Sequence, residues 1–480
     1  MSKLRKGLII AGIALLSLAA LLTVFLAFLS PLSERWVVKA LASHYHAEVQ
    51  LRTFDVSFFP RISVTGSGLV LRAKDQPGAP PLASVRQFSM GTSWLGLLRH
   101  PSHVRDVWLD GLTINVLPGK RKEEPQGQPK RKKKHHLPPF YFQNVSANGT
   151  VLNIFSSNPQ KPPRVFAISK LQLQSIAVGK AMSFQATLTN PKPIGQIQTT
   201  GHFGPWEPGD PSMTAVSGTY HFNNADLSTI HGLIGILSSQ GNYSGVLGFI
   251  TVHGETDTPD FGLGISNNRI DLKTQFTAIV DGVNGNTLLR LVRAQLGNSV
   301  IIARGGALRA TGVKGRIVSL VVSADHARLA DIMRLAVKSA TPPMLGEADI
   351  ETQFDLPPGQ QDIASRLNLN GHFAIQSARF TDPQVEEKMT HLSERAEGRP
   401  REKDGKAAVV DLRGSFALSN GLMTFSKLSF GVEGATVNLQ GTYGLTAENL
   451  DFKGNLRMKA KISQTTTGIK SFLLRAIDPL

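Results

Sequence analysis

Apolar and polar residues alternate with period two along much of this chain. In the stretch LDFKGNLRMKAKI, Leu450, Phe452, Gly454, Leu456, Met458, Ala460 and Ile462 fall on one side, and Asp451, Lys453, Asn455, Arg457, Lys459 and Lys461 on the other. That is the pattern of a β-strand with one apolar face. At about 3.3 Å per residue such a strand exceeds about 40 Å, which is long for a globular domain and suits a wide curved sheet or open groove. Similar alternation marks residues 49–58, 62–71, 107–116, 367–375, 412–418 and 437–443. The expected body is mainly β: an elongated, curved antiparallel sheet, a taco-like β-groove.

A shorter signature recurs within the alternation. Glycine is followed two positions later by an aromatic residue at Gly201/Phe203, Gly218/Tyr220, Gly371/Phe373, Gly414/Phe416 and Gly441/Tyr443, each time on the apolar side. Glycine there leaves room beside a ring or lets the strand bend. The candidate lining of an apolar groove is therefore Phe203, Tyr220, Phe373, Phe416, Tyr443, Leu450, Phe452, Leu456, Met458 and Ile462.

A few segments carry helical spacing instead. They are 31–43, 226–238 (Leu227, Ile230, Leu233, Ile234, Leu237), 286–296 (Leu288, Leu291, Val292) and 325–338 (Leu329, Ile332, Met333, Ala336). The last three read as covers for the ends or openings of the sheet. Residues 383–406 are charge-rich and read as a partly frayed, solvated helix followed by a loop.

One segment belongs to a different solvent. From Leu8 to Leu29 the chain carries no charge, and a helix of that length spans roughly 33 Å, enough to cross a bilayer core. Phe28 and Leu29 precede Ser30 where a cleaved signal needs small residues, so the expectation is a retained transmembrane anchor. Lys3, Arg5 and Lys6 precede the span, while Glu34 offsets Arg35 after it. The positive-inside rule then leaves the N-terminus in the cytoplasm and the rest outside, with Trp36 as an interfacial anchor.

Composition narrows the rest. The chain has 480 residues, so an elongated body or several packed units is expected rather than one globule. It has no cysteine, which excludes disulfides, thiolate metal sites and cysteine nucleophiles. Its net charge is +17, but residues 120–134 concentrate eight basic and two acidic side chains. With Pro118, Pro125, Pro129, Pro138 and Pro139 around it, that segment reads as an exposed disordered loop. It is not interleaved with aromatic residues and no recognition helix follows, so nucleic acid is not an expected partner. Water, anionic lipid headgroups or phosphorylated sugars remain for it.

Candidate chemistry is sparse. HGETDTPDF, residues 253–261, gathers His253, Glu255, Asp257 and Asp260, but its Thr, Asp and Pro residues favour turns, so it reads as a strand-loop-strand link. His202, His221 and His372 alternate onto the polar side of their strands and read as solvated. His44, His46 and Glu48 share one face only if that piece is a strand. His100 with His103, and His135 with His136, lack nearby carboxylates. No phosphate loop, nucleophile elbow or zinc motif is present in the sequence. No catalytic, cofactor-binding or metal residues are assigned, and no enzyme is expected.

Three stretches carry a family resemblance. They are VQLRTFDVSFFPRISVTGSGLVLR after the anchor, the region 235–296 containing GNYSGVLGFITVHGETDTPDFGL, and 416–462, FALSNGLMTFSKLSFGVEGATVNLQGTYGLTAENLDFKGNLRMKAKI. Together they resemble the AsmA-like family of bacterial envelope proteins, related to bridge-like lipid-transfer proteins. The resemblance covers the ends and middle of the chain and weakens over 120–200. It implies a single-pass bacterial inner-membrane protein with a periplasmic β-rich body whose concave apolar face shelters acyl chains. About 20 strands at roughly 4.8 Å would make a groove on the order of 100 Å long. The chain stops at SFLLRAIDPL, where the family is expected to continue with another strand or two.

The expected organisation is an anchor over 1–30, an N-terminal AsmA-like helix and strands over 31–117, and a basic loop over 118–139. A central β-rich region with covering helices follows over 140–350, and a C-terminal AsmA-like β region over 351–480. The expected function is lipid transfer or lipid handling in support of the outer membrane. Its expected partners are phospholipid or another envelope lipid, the inner membrane, and an outer-membrane or envelope protein. A scaffold that binds an assembly factor or envelope glycan without carrying lipid is the alternative, and a metal-dependent hydrolase would require the scattered histidines and acids to converge.

Overall fold

The computed structural model describes residues 42, 47–59, 61–73, 78–93, 95–96, 102–116, 140–155, 163–177, 179–205, 207, 210–309, 315–398, 410–447 and 449–461. The expected span Leu8–Leu29, Lys3, Arg5, Lys6 and Trp36 lie outside them, as do the basic segment 118–139, Ile462 and all but residue 42 of the expected helix 31–43. Among the described residues no helix is long and apolar enough to cross a membrane. The chain is mainly β and divides into two units. One takes the residues up to Thr189 with Thr200–Trp206, the other Asn190–Thr199 and everything from Glu207. No boundary falls at 350, where a single strand, Met344–Leu356, runs straight across.

Unit 1 is a mixed ladder. Its strands are β1 (Ala47–Gln50), β2 (Thr53–Ser57), β3 (Ile62–Ala73), β4 (Ala83–Thr92), β5 (Ser102–Asp110), β6 (Thr113–Val116), β7 (Phe140–Ile154), β8 (Arg164–Ala177) and β9 (Met182–Pro191). The alternation at 49–58 is split, because β1 and β2 pair in turn with the single long β3. Most neighbours are antiparallel, but β5 and β6 both run parallel to β7, a departure from the all-antiparallel expectation. Parallel neighbours need a long return connection, and residues 117–139 join β6 to β7. Val64, Val85 and Phe88 form the buried core of this unit, packed by Phe54, Met90 and Leu109.

Strand β10 (Ile194–Phe203) follows β9. Unit 2 then continues as β11 (Ala215–Asp226), β12 (Leu233–Ile234), β13 (Ile236–Val246), β14 (Phe249–Leu263), β15 (Ile270–Val280), β16 (Thr287–Leu296), β17 (Ser299–Arg309) and β18 (Arg316–Arg328). Helix α1 (Leu329–Ala336) leads to β19 (Met344–Leu356), and α2 (Ile363–Arg366) to β20 (Asn368–Phe380). Helix α3 (Pro383–Ala396) precedes β21 (Val410–Ser419), β22 (Leu422–Val432), β23 (Ala435–Gly444) and β24 (Leu450–Met458). From β13 onward each of these strands is antiparallel to the next.

Because the strands run up and down, their connections alternate between two rims. One rim carries α1, α3 and the loops 227–235 and 264–269, and we call it the capped rim. The far rim carries α2 and the turns 247–248 and 281–286. Asp362, whose carboxylate caps α2 by accepting from the Ala364 N–H at 2.8 Å, reaches the other rim. The Ile363 N–H donates to the His231 carbonyl at 3.2 Å. A side chain on Gly232 would collide with the Asp362 carboxylate. A far-rim loop can meet a capped-rim loop across β13 to β19 only if the intervening sheet coils. Register shifts in β14, β15, β16, β18 and β20 supply the bends.

Those shifts also explain where periodicity misleads. Residues 286–296 form strand β16, not a helix. A bulge between Leu289 and Val292 inserts a residue into the alternation, turning a spacing of two into the spacing of three that imitates a helical stripe. Residues 226–238 are likewise not a helix but a short 3-10 turn at Leu227–Thr229 followed by β12 and the start of β13. Gly232 and Gly235 sit there at φ of 94° and 127°, outside the helical region. The helix expected over 325–338 is present as α1. α3 occupies 383–396, and it is packed rather than merely solvated, with Met389, Leu392 and Ala396 in the unit's main core.

Candidate functional site

Register places the side chains of unit 2 on two faces. Along one face, opposed pairs run Tyr220 with Gly241, Gly254 with Phe276, Leu320 with Phe354, Ile350 with Phe373, Gly371 with Phe416 and Val437 with Leu456. This face is apolar from β11 to β24. The opposite face carries His221, Gln240, His253, Glu255, Lys273, Gln275, Arg293, Glu351, His372, Arg413, Lys427 and Lys453.

The apolar face is organised by rings lying over glycines of the next strand. Gly371-x-Phe373 runs antiparallel to Gly414-x-Phe416, so Gly371 opposes Phe416 and Phe373 opposes Gly414. Gly218-x-Tyr220 meets Gly241-x-Tyr243 in the same reciprocal way. A Cβ added to Gly254 would fall against the Tyr220 hydroxyl and 2.7 Å from Phe276 Cζ, and one on Gly414 would lie 3.1 Å from the Phe373 ring. The signature in the sequence is thus a register device: each ring fills the space its neighbour's missing side chain leaves. Farther along, Phe373, Phe416, Phe425 and Phe452 form a relay of ring contacts with centroids 5.7–6.4 Å apart, within the range of favourable aromatic pairs.

Two phenols on this face are satisfied within it. Tyr220 shares a hydrogen bond with the Ser239 hydroxyl at 3.1 Å, and Tyr243 with the Thr199 hydroxyl at 2.7 Å. Burial pushes both phenols above their ordinary pKa, with the hydrogen bonds opposing the rise.

Among the described residues, helices seal the capped rim of this face. There Leu329 of α1 and Ala396 of α3 join Ala348, Ile375, Ala378, Val432 and Ala435 in one buried cluster, with Ile332, Met333, Met389 and Leu392 packed around it. Asp331 locks α1 down: its buried carboxylate accepts from the Asn298 N–H at 3.0 Å and the Ser299 hydroxyl at 2.9 Å. Away from that rim Tyr243, Phe276, Phe354, Phe416 and Phe452 are only half-buried. Leu456 and Leu450 are 48% and 70% exposed. Among the described residues no second layer covers them.

Of the candidate lining residues, Tyr220, Phe373, Phe416, Tyr443, Leu450, Phe452, Leu456 and Met458 share this one face. Phe203 ends β10 and belongs to unit 1, and β24 stops at Met458, short of the expected thirteen-residue strand. Sequence reading missed Tyr243, Phe276 and Phe425. Gly241/Tyr243 carries the same signature and was legible. The glycine partners of Phe276 and Phe425 sit in neighbouring strands, so only pairing reveals them.

HGETDTPDF is a strand, not a turn. Residues 253–261 run inside β14, and only Pro259 and Asp260 leave the ladder, at a register shift between Thr258 and Phe261. That shift is where a residue without an N–H is tolerated. Glu255 accepts from Gln240 Nε2 at 2.6 Å, Asp257 lies 3.7 Å from Lys273 Nζ, and His253 meets the Thr277 hydroxyl at 3.1 Å. Among the described residues no three His, Asp or Glu side chains gather as a metal site. His372 lies 3.7 Å from Glu351, and the His103 ring makes a tilted contact with the Tyr141 ring, centroids 4.9 Å apart. Glu48 is in β1, while His44, His46, His100, His135 and His136 lie outside the described residues.

Recesses of about 630 and 780 Å³ occur on the polar face, one lined by His221, Gln240, Glu255, Lys273 and Arg293, the other by His372, Arg413, Lys427 and Lys453. The apolar face is a broad surface and not a closed cavity. No family model, curated protein or solved structure matches this chain. Fold and site together define unit 2 as a coiled β-sheet whose apolar face is only partly covered by described residues.

Proposed function

We propose that the apolar face of unit 2 shelters lipid acyl chains, and that the protein handles or transfers phospholipid between membranes without a chemical step. The observation that carries this reading is the ring-lined face running from β11 to β24, packed by helices at the capped rim and partly open elsewhere among the described residues. A monomeric protein rarely leaves so much contiguous apolar surface to water, whereas a row of acyl chains needs a long, largely apolar face whose few polar groups are paired with one another. In this reading Leu8–Leu29 anchors the chain in a bacterial inner membrane, with Lys3, Arg5 and Lys6 on the cytoplasmic side and Trp36 at the other interface. The body, an elongated taco-like groove, then lies in the periplasm, supporting outer-membrane assembly. The resemblance to the AsmA-like family points the same way.

The test is site-specific photocrosslinking in cells. A benzophenone amino acid replacing Phe416 or Leu456 is expected to yield phospholipid adducts by mass spectrometry, and one replacing Arg413 or Lys427 on the polar face is not. Adducts only with protein or glycan at Phe416 and Leu456 would overturn lipid carriage and leave the scaffold in its place.

A further inference from the structure

Exposed apolar residues gather most densely on one part of the polar face. At the far rim of β14 to β18, Phe249, Val283, Leu288, Leu308, Ile317 and Val321 are 40–64% exposed. Register and turn contacts make them one strip. Leu308 opposes Ile317, and Leu288 opposes Gly306, the second residue before Leu308 in β17. The Arg309 N–H donates to the Asn286 side chain of the turn that holds Val283. That turn bonds to the preceding one through the Gly282 N–H and the Leu247 carbonyl, beside Phe249. These residues point away from the aromatic face, so the lipid reading above does not account for them.

Charge identifies what covers the strip. Arg304 lies in the strip directly opposite Val321, Arg290 lies beside it in β16, Arg309 ends β17 at its edge with its register on the other face, and none of the three makes an ion pair with a described residue. The nearby carboxylates are engaged locally: Asp281 accepts from the Val283 and Asn284 backbone N–H groups of its own turn, and Asp355 accepts from Ser319 and Gln353. Apolar tips on a rim, flanked by cations without counter-ions, suit the interface of an anionic bilayer, where Leu, Phe and Val enter the acyl boundary and arginine stays with the headgroups.

We propose that this strip docks unit 2 onto the surface of an anionic membrane. It is a peripheral contact, separate from both the N-terminal segment and the aromatic face, and its failure would leave the acyl-chain reading standing. The chain has no cysteine, so Leu308→Cys gives a single attachment point for an environment-sensitive nitrobenzoxadiazole dye on the full chain held in a non-ionic amphipol.

Adding vesicles of phosphatidylcholine with about one-third phosphatidylglycerol is expected to shift the dye emission to the blue, and pure phosphatidylcholine vesicles to do so only weakly. The same dye at Gln295→Cys, at the capped rim of the polar face, is expected to stay unchanged. Replacing Arg290, Arg304 and Arg309 by Gln should raise the lipid concentration for half-binding about a hundredfold, at close to fivefold per arginine. An equal response to both vesicle types, no response at all, or a blue shift that grows with protein concentration without vesicles would each overturn the proposal, the last by showing that a second copy covers the strip.

Discussion

The two ends of one face in unit 2 are built from the same alternating sequence and end in opposite states. At the capped rim, Ala348 and Ala378 are fully buried beneath α1 and α3. Toward β24, Leu450 and Leu456 occupy equivalent inward positions and stand open. Strand pattern does not decide between them. Among the described residues, α1 after β18 and α3 after β20 fold back onto the buried part, and no described helix packs on Leu450 or Leu456. Binary patterning therefore specifies which face is apolar, and the connections specify how much of it becomes core.

The largest expected break in this comparison is a charge placed at each end. Ala348→Asp should destabilise unit 2 by about 4 kcal/mol or more, because a carboxylate is buried there without a partner. Leu456→Asp should cost under about 1 kcal/mol, since its site is open to water. Denaturant unfolding of the two variants measures the gap, and equal losses would mean that the open end is filled after all.

The ring-over-glycine pairs come next. Gly254→Val should cost about 3 kcal/mol, because the new side chain must displace both the Tyr220 and Phe276 rings from a packed face. Gly421→Val is the wrong control, since Gly421 has φ 73° and strain would enter. Gly91→Val is the better one, as a Cβ there meets nothing within 4 Å.

Removing the lock on the helix should have a smaller effect. Asp331→Ala leaves the Ser299 hydroxyl and the Asn298 N–H without their acceptor, at a cost of about 2 kcal/mol. Hydrogen exchange should show the loss as faster opening of α1, with β23 and β24 unchanged.

The smallest effect is on alkaline pH. In the folded chain the Tyr220 and Tyr243 phenols hold their protons above the ordinary value, so their contribution is fully present below pH about 10 and is lost as pH rises through and beyond it. The melting temperature should fall as pH is raised past that point. Tyr243→Phe should fall less steeply, and an unchanged slope would show that the phenol is solvated.

Much of this fold was legible in the chain. Alternation located β3, β20, β21, β23 and β24 because one-sided burial leaves a period of two wherever pairing is regular, while the run 107–116 is split between the end of β5 and β6. It failed at β16 and in HGETDTPDF because a bulge shifts the phase or hides a proline inside a strand, and neither event is visible without the partner strand. The glycine–aromatic signature was legible as a pattern but not as a device, since each glycine accommodates a ring that belongs to another strand.

The sequence by itself determined that strands dominate, which side of each is apolar, and that 325–338 carries a helix, because these follow from local spacing of side chains. Tertiary structure alone decided that β7 runs parallel to β5 and β6, that the sheet of unit 2 coils until Asp362 reaches the loop at Gly232, and that α1 and α3 fold back onto the capped rim. Those outcomes depend on which strand lies beside which and where each connection returns, and long-range pairing of that kind leaves no trace in the spacing of neighbouring residues.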